Sequence, residues 1–198
     1  MKSYFIRYQK QSSAHSSKTI ISSILLYLAG MLLGYLCGHF LRNSLYHTVQ
    51  ETYNGLLSGI STTKVPFLPL FLLCLKQHAK NYLLLVFFSC TNVWLLYLSA
   101  YLLYRGFTGG LLLLFCTMLH SISGIWGFFC FLMPQAILYV PAYLCLIDKL
   151  HNNRDSDTKG MSLLPEIPSL LLLFLLLLAG CILESTLNLP LLKWYHGF

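Results

Sequence analysis

Acidic side chains are scarce: the 198-residue chain carries six Asp and Glu against thirteen Lys and Arg. Glu51, Asp148, Asp155, Asp157 and Glu166 fall in polar or interfacial stretches, which leaves Glu184 as the one carboxylate inside an apolar run. Paired carboxylates for hydrolysis or ion coupling would have to be built from scattered groups. No G-x-S-x-G, H-E-x-x-H, Walker or Rossmann pattern occurs. The seven cysteines, Cys37, Cys74, Cys90, Cys116, Cys130, Cys145 and Cys181, are odd in number, form no C-x-x-C pair and all sit in apolar stretches. They read as small core residues, with no spacing for a redox or metal site. The sequence therefore predicts no catalytic residue, no metal and no cofactor, and a protein that is not an enzyme.

Charge of either sign is also rare. Asp, Glu, Lys and Arg make up 10% of the chain, where a soluble domain has about a quarter, and 57% is hydrophobic. This is the composition of an integral membrane protein. The net charge of +7 sits at the ends of apolar segments rather than in one patch, a distribution that anchors a chain in lipid and argues against nucleic acid as a partner.

What is present is a series of uncharged runs, which predicts an all-α integral membrane protein with about five transmembrane segments. A basic tail at 1–19 precedes the first span at 20–41, too long for a cleaved signal and read as an uncleaved anchor. Gly30, Gly34 and Gly38 form a doubled G-x-x-x-G, a stripe against which another helix can pack closely, either within the chain or on a second copy or heterologous partner. An outward loop at 42–80 follows. Leu45, Val49, Tyr53, Leu56, Leu57 and Ile60 fall on one helical face there, which predicts an amphipathic surface helix, and Lys76 and Lys80 are placed near the headgroups.

The second span is set at 81–104, followed by a tight turn through Gly106, Gly109 and Gly110 and a third span at 109–132. Residues 106–147 hold no charge over 42 positions, enough for two crossings of ~20 residues each, so the run must double back. The expected reversal is Met133-Pro134-Gln135-Ala136, because Pro134 lacks an amide proton and pushes Met133 from helical angles. The fourth segment, 135–147, is short and interrupted by Pro141, so it either crosses or re-enters. A charged loop at 148–160 leads to the last span at 167–187. Glu184, near its far end, is expected close to headgroups or paired with a cation such as Lys193.

Ser121, Ser123, Gly124 and Gly127 make a second small-residue patch in the third span, with His120 near mid-membrane. An ionisable group at that depth invites a functional reading, although a single hydrogen bond would satisfy a neutral histidine. A channel or transporter with a polar site around Gln135 and His120 is the alternative to an assembly protein. With the N-terminus in the cytoplasm, eight Lys and Arg fall inside and five outside, which favours that orientation and sets 148–160 in the cytoplasm.

Arg105-Gly106-Phe107-Thr108-Gly109-Gly110 followed by LMPQAILYVPAYL at 132–144 resembles the stage II sporulation protein M family of endospore-forming bacteria. Lys80-Asn81 before the second span and Leu183-Glu184, Pro190-Leu191 and Lys193 at the end of the last add to the likeness, which covers most of the chain. Arg105 stands where that family has Lys, and Ala136 where Asn is common. The resemblance implies a non-enzymatic scaffold in the cell membrane at the sporulation septum. There it would recruit and hold two peptidoglycan-degrading partners, the stage II D and P proteins, during forespore engulfment. A homo-oligomer is a further expectation. The glycine faces and the 42–80 segment are the surfaces expected to carry contacts.

Overall fold

The structure, a computed structural model, describes residues 2–62, 66–155 and 166–196. The side chains of His120, Ser121, Pro134, Gln135 and Lys193 are among those outside the described set. Among the described residues, five helices follow in order: α1 Lys2–Phe40, α2 Arg42–Thr62, α3 Phe67–Ser89, α4 Trp94–Asp155 and α5 Ile167–His196. Among the described residues, three segments are long and apolar enough to cross a membrane: Lys18–Phe40, Trp94–Leu119 and Ile167–Asn188. The apolar surface of this bundle matches lipid rather than water. Leu32, Leu96, Ile122 and Leu172 are all more than 60% exposed, which a soluble fold would have to bury.

The length of α4 conceals a hairpin. A straight helix would hold residues eight apart at ~12 Å and residues 42 apart at ~63 Å. Gly124 instead lies against the backbone of Cys116, and the rings of Tyr101 and Tyr143 are 6.5 Å apart. The chain therefore reverses between 117 and 124, giving a first arm to Leu119 and a second arm from Gly124. This corrects the expected reversal at 133–136. Helix α4 runs unbroken over Trp94–Asp155, the reversal included, so the contacts place the turn: with Gly124 against Cys116 and Tyr143 beside Tyr101, residues 124–155 form one returning arm, and 109–132 and 135–147 are not two segments joined at Pro134. Prolines are tolerated in membrane-embedded helices, whereas a reversal needs two backbones in contact, and Gly124 has no Cβ to keep them apart.

The GFTGG turn is likewise corrected. Gly106, Gly109 and Gly110 lie mid-helix in the first arm of α4, where Gly106 and Gly110 press on the backbones of Tyr27 and Met31. From the other side, Gly30 meets Leu103, Gly34 meets Phe107, and Gly38 meets the side chains of Leu111 and Leu114. Numbers rise together on both helices, so α1 and the first arm run parallel, each presenting glycines four apart. A Cβ at Gly34 would stand 2.9 Å from Phe107 Cα, closer than any side chain tolerates. The stripe predicted from sequence is thus spent inside the chain. Arg105, expected at the end of a span, lies mid-arm with its guanidinium 6.0 Å from the centre of the Tyr101 ring.

The expected 81–104 span is broken. α3 ends at Ser89, and Ser89 Oγ and Thr91 Oγ1 donate to the carbonyls of Val86 and Phe88 at 2.6 and 2.8 Å. Local side-chain bonds of this kind compete with helix continuation, and an uncharged stretch can still contain them. The 42–80 segment is consequently no single outward loop. α2 covers 42–62 with Val49 and Tyr53 half-buried and Tyr46, His47, Gln50 and Glu51 exposed, while α3 packs into the bundle. The core lies among α3, α4 and α5, around Leu85, Trp94, Leu146, Leu177 and Cys181.

Where α4 ends and α5 begins, Lys149 Nζ lies 2.6 Å from Glu166 Oε2. That ammonium holds the Glu166 carboxyl below its usual range. A depressed folded-state value stabilises the fold above the unfolded value of ~4.3, and the stabilisation fades as pH falls through the folded value. Glu166→Gln should cost at most ~1 kcal/mol, as surface pairs do. Its unfolding midpoint should trail the wild type by a constant amount from pH 8 to about 5 and converge with it only as pH falls through the depressed folded-state value.

A candidate polar site between α3, α4 and α5

Apolar spacing on α3 sets one buried face: Cys74, His78, Tyr82, Leu85 and Ser89, recurring at four, four, three and four residues. Tyr82 Oη donates to the carbonyl of Leu170 at 2.7 Å, and His78 reaches Glu184, so α3 and α5 run antiparallel. The second arm of α4 lies against both and adds Tyr139 and Tyr143.

Two of these side chains, His78 and Tyr139, converge on one carboxylate oxygen of Glu184. His78 Nε2 stands 3.4 Å from Glu184 Oε2, and Tyr139 Oη donates to the same oxygen at 2.8 Å. Tyr139 Oη is also 3.3 Å from Cys181 Sγ, and the Cys74 thiol lies beside the carboxylate. The imidazole stacks on Tyr139 with centroids 4.0 Å apart at 24°, which fixes the ring plane and turns Nε2 to the carboxylate. On its other edge, Nδ1 is 3.4 Å from Tyr143 Oη, which also lies 3.4 Å from the His78 carbonyl. The residue at 180 is glycine, and a Cβ there would run into the Tyr139 ring. Gly180 therefore makes room for the tyrosine that caps Glu184.

Chemically, this is a carboxylate and an imidazole able to share a proton, each oriented by a tyrosine. An ionisable pair next to apolar spans is costly unless hydrogen-bonded, and here Glu184 Oε2 meets His78 Nε2 and accepts from Tyr139 Oη. Among the described residues, no three His, Cys, Asp or Glu are arranged to hold a metal ion. A cavity of about 510 Å³ lies elsewhere, between α1 and the α4 hairpin, lined by Met31, Tyr35, Leu113, Thr117 and Phe128; it does not touch the cluster.

Of the residues singled out from sequence, Glu184 is in this site with His78 and Tyr139 as partners; the side chain of Lys193, the cation suggested for it, is outside the described set. Gly30, Gly34, Gly38, Gly106, Gly109 and Gly110 belong to the α1–α4 contact. Gly124 and the buried Gly127 follow the reversal, with Ser123 exposed beside them. His120, Pro134 and Gln135 have side chains outside the described set. Pro141 is exposed in the second arm, two residues from Tyr139 and Tyr143. Sequence reading missed His78. The four-residue recurrence of Cys74, His78 and Tyr82 carried the signal, and the neighbouring Lys76 and Lys80 masked it.

Comparison with protein-family models, curated proteins and solved structures finds no match to this chain.

Proposed function

We propose that this chain is a multi-pass membrane scaffold of the stage II sporulation protein M type. On this reading it is not an enzyme: it recruits the stage II D and P peptidoglycan-degrading proteins and holds them at the sporulation septum. The reading adds two crossings, by α3 and the second arm of α4, to the three apolar spans, with the N-terminus in the cytoplasm. Confinement to one membrane raises the effective concentration of the two hydrolases for each other without any chemistry by the scaffold.

The observation that carries this is that the polar cluster joins helices of the bundle to one another. Glu184, the one acid within an apolar span, already faces His78 and accepts from Tyr139, so the interior polarity ties three helices together. The reading assigns recognition to the exterior, chiefly α2 and the outer side of α3. Co-purification from sporulating cells tests the proposal: both hydrolases should accompany the wild-type chain, and recovery of neither with an intact bundle overturns it. For orientation, a membrane-impermeant maleimide should label Thr48→Cys and not His151→Cys from outside intact cells.

A second reading, transport, draws on the same His78–Glu184 pair, since ionisable groups among apolar spans often mark proton or ion paths. It predicts flux in proteoliposomes that Glu184→Gln abolishes; no flux across a broad solute panel removes it.

A further inference from the structure

Among the described residues, nothing covers the face of α3 opposite His78. Leu72, Leu73, Lys76, Lys80, Leu83 and Phe87 fall on one stripe; Leu73, Leu83 and Phe87 are 68, 63 and 65% exposed, and both lysines are exposed. Apart from Leu73 their spacing is four, four, three and four, the repeat of a helix-packing seam. The stripe reads apolar, cationic, apolar. Lys76 and Lys80 each lie nine residues, ~14 Å, from the nearer end of α3. α3 is aligned with α5 from Leu170 to Glu184, inside the Ile167–Asn188 span, so on the reading that α3 crosses, the two ammonium groups sit at the depth of the apolar core. Half of a ~30 Å core is more than a four-carbon stem can snorkel across.

No carboxylate among the described residues pairs with either lysine: Glu184 faces His78, and Glu166 faces Lys149. A cation at that depth is retained where a counter-charge meets it. Headgroup phosphates lie too far away. A second copy would bring Lys to Lys, and its own acid within a span is already engaged.

We infer that this α3 stripe docks a transmembrane helix of another protein that carries an Asp or Glu near its middle. The apolar ends pack as a seam, and the carboxylate pairs with Lys76 and Lys80 where low dielectric makes the pair selective against uncharged helices. The inference rests on the scaffold reading and supplies the recognition element for a membrane-anchored partner.

The test reconstitutes the full chain in phosphatidylcholine vesicles at pH 8 with a designed poly-leucine helix carrying one central Asp, and reads association by energy transfer. The Asp helix should associate at least tenfold more than an all-Leu helix. Lys76→Met/Lys80→Met should remove that advantage, Lys76→Arg/Lys80→Arg should keep it, and Lys76→Glu/Lys80→Glu should transfer preference to a helix with a central Lys. Equal association of the Asp and Leu helices overturns the inference. So does an Asp preference that survives the double Met change, a preference that needs anionic lipid, or a Leu83→Cys cross-link between two copies. The probe is not a hydrolase, so its failure removes the α3 seam alone, while loss of hydrolase co-purification removes the scaffold reading.

Discussion

Replacing Glu184 by Leu should destabilise the bundle by ~2–4 kcal/mol, and replacing His78 by Leu by a similar amount, while the double change should cost less than the two together. Removing the carboxylate strands both the His78 Nε2–H and the Tyr139 hydroxyl, which point at one oxygen from 3.4 and 2.8 Å. Breaking one side of a buried pair in a soluble protein costs ~3–5 kcal/mol. In a bilayer the separated helices find other partners, and interhelical hydrogen bonds there average nearer ~0.6 kcal/mol, which pulls the expectation down. Stacking of His78 on Tyr139 and the shared oxygen keep it well above that average. Unfolding of the four proteins of the cycle in mixed micelles gives the coupling directly. Additive single effects would mean that the two side chains do not meet.

Gly34→Ile should be as damaging for a different reason. The new Cβ would run into the Phe107 carbonyl, and backbone cannot rotate aside as a side chain can. Overpacking into deformable cores costs ~1–3 kcal/mol; here two helices must separate, so the upper end or more is expected. In lipid, close packing is itself a main source of helix association, and every turn of the α1–α4 seam weakens as the axes part. Gly55→Ala is the control: nothing lies within 4 Å of its Cβ, and helix propensity should gain ~0.5–1 kcal/mol. Energy transfer between labels on α1 and the first arm of α4 would follow the separation. Unchanged transfer and stability in Gly34→Ile would exclude the glycine contact.

Both predictions bear on how far this fold could be read from residues alone. Periodicity served well where one helix face settles the matter. The Gly30, Gly34, Gly38 stripe marks a close helix contact, and 42–62 forms the expected helix with Val49 and Tyr53 turned inward. It failed where absence of charge was taken for continuity. Ser89 and Thr91 end a helix inside an uncharged run, and Pro134 and Pro141 do not end one. The glycines at 106–110 look like a turn until their counterparts on α1 are placed opposite them. Glu184 was legible as a residue needing a partner, but the partner lies 106 positions earlier in the chain, and no linear spacing encodes that contact. His78 sits on the reverse side of the Lys76 and Lys80 turns, so the same segment holds the centre of the polar site and the exposed seam.

The central claim is that α3, α4 and α5 meet at one polar cluster inside the bundle, and its two flanking thiols report on it without disturbing it. Cys74 and Cys181 both adjoin the Glu184–Tyr139 pair and are free and buried. In a variant with the other five cysteines replaced by Ala, a membrane-permeant short dithiol bridge such as dibromobimane, applied to intact membranes, should yield one product joining the Cys74 and Cys181 peptides within a single chain. Recovery of the two cysteines as separately alkylated peptides, or bridged only between chains, would contradict the account.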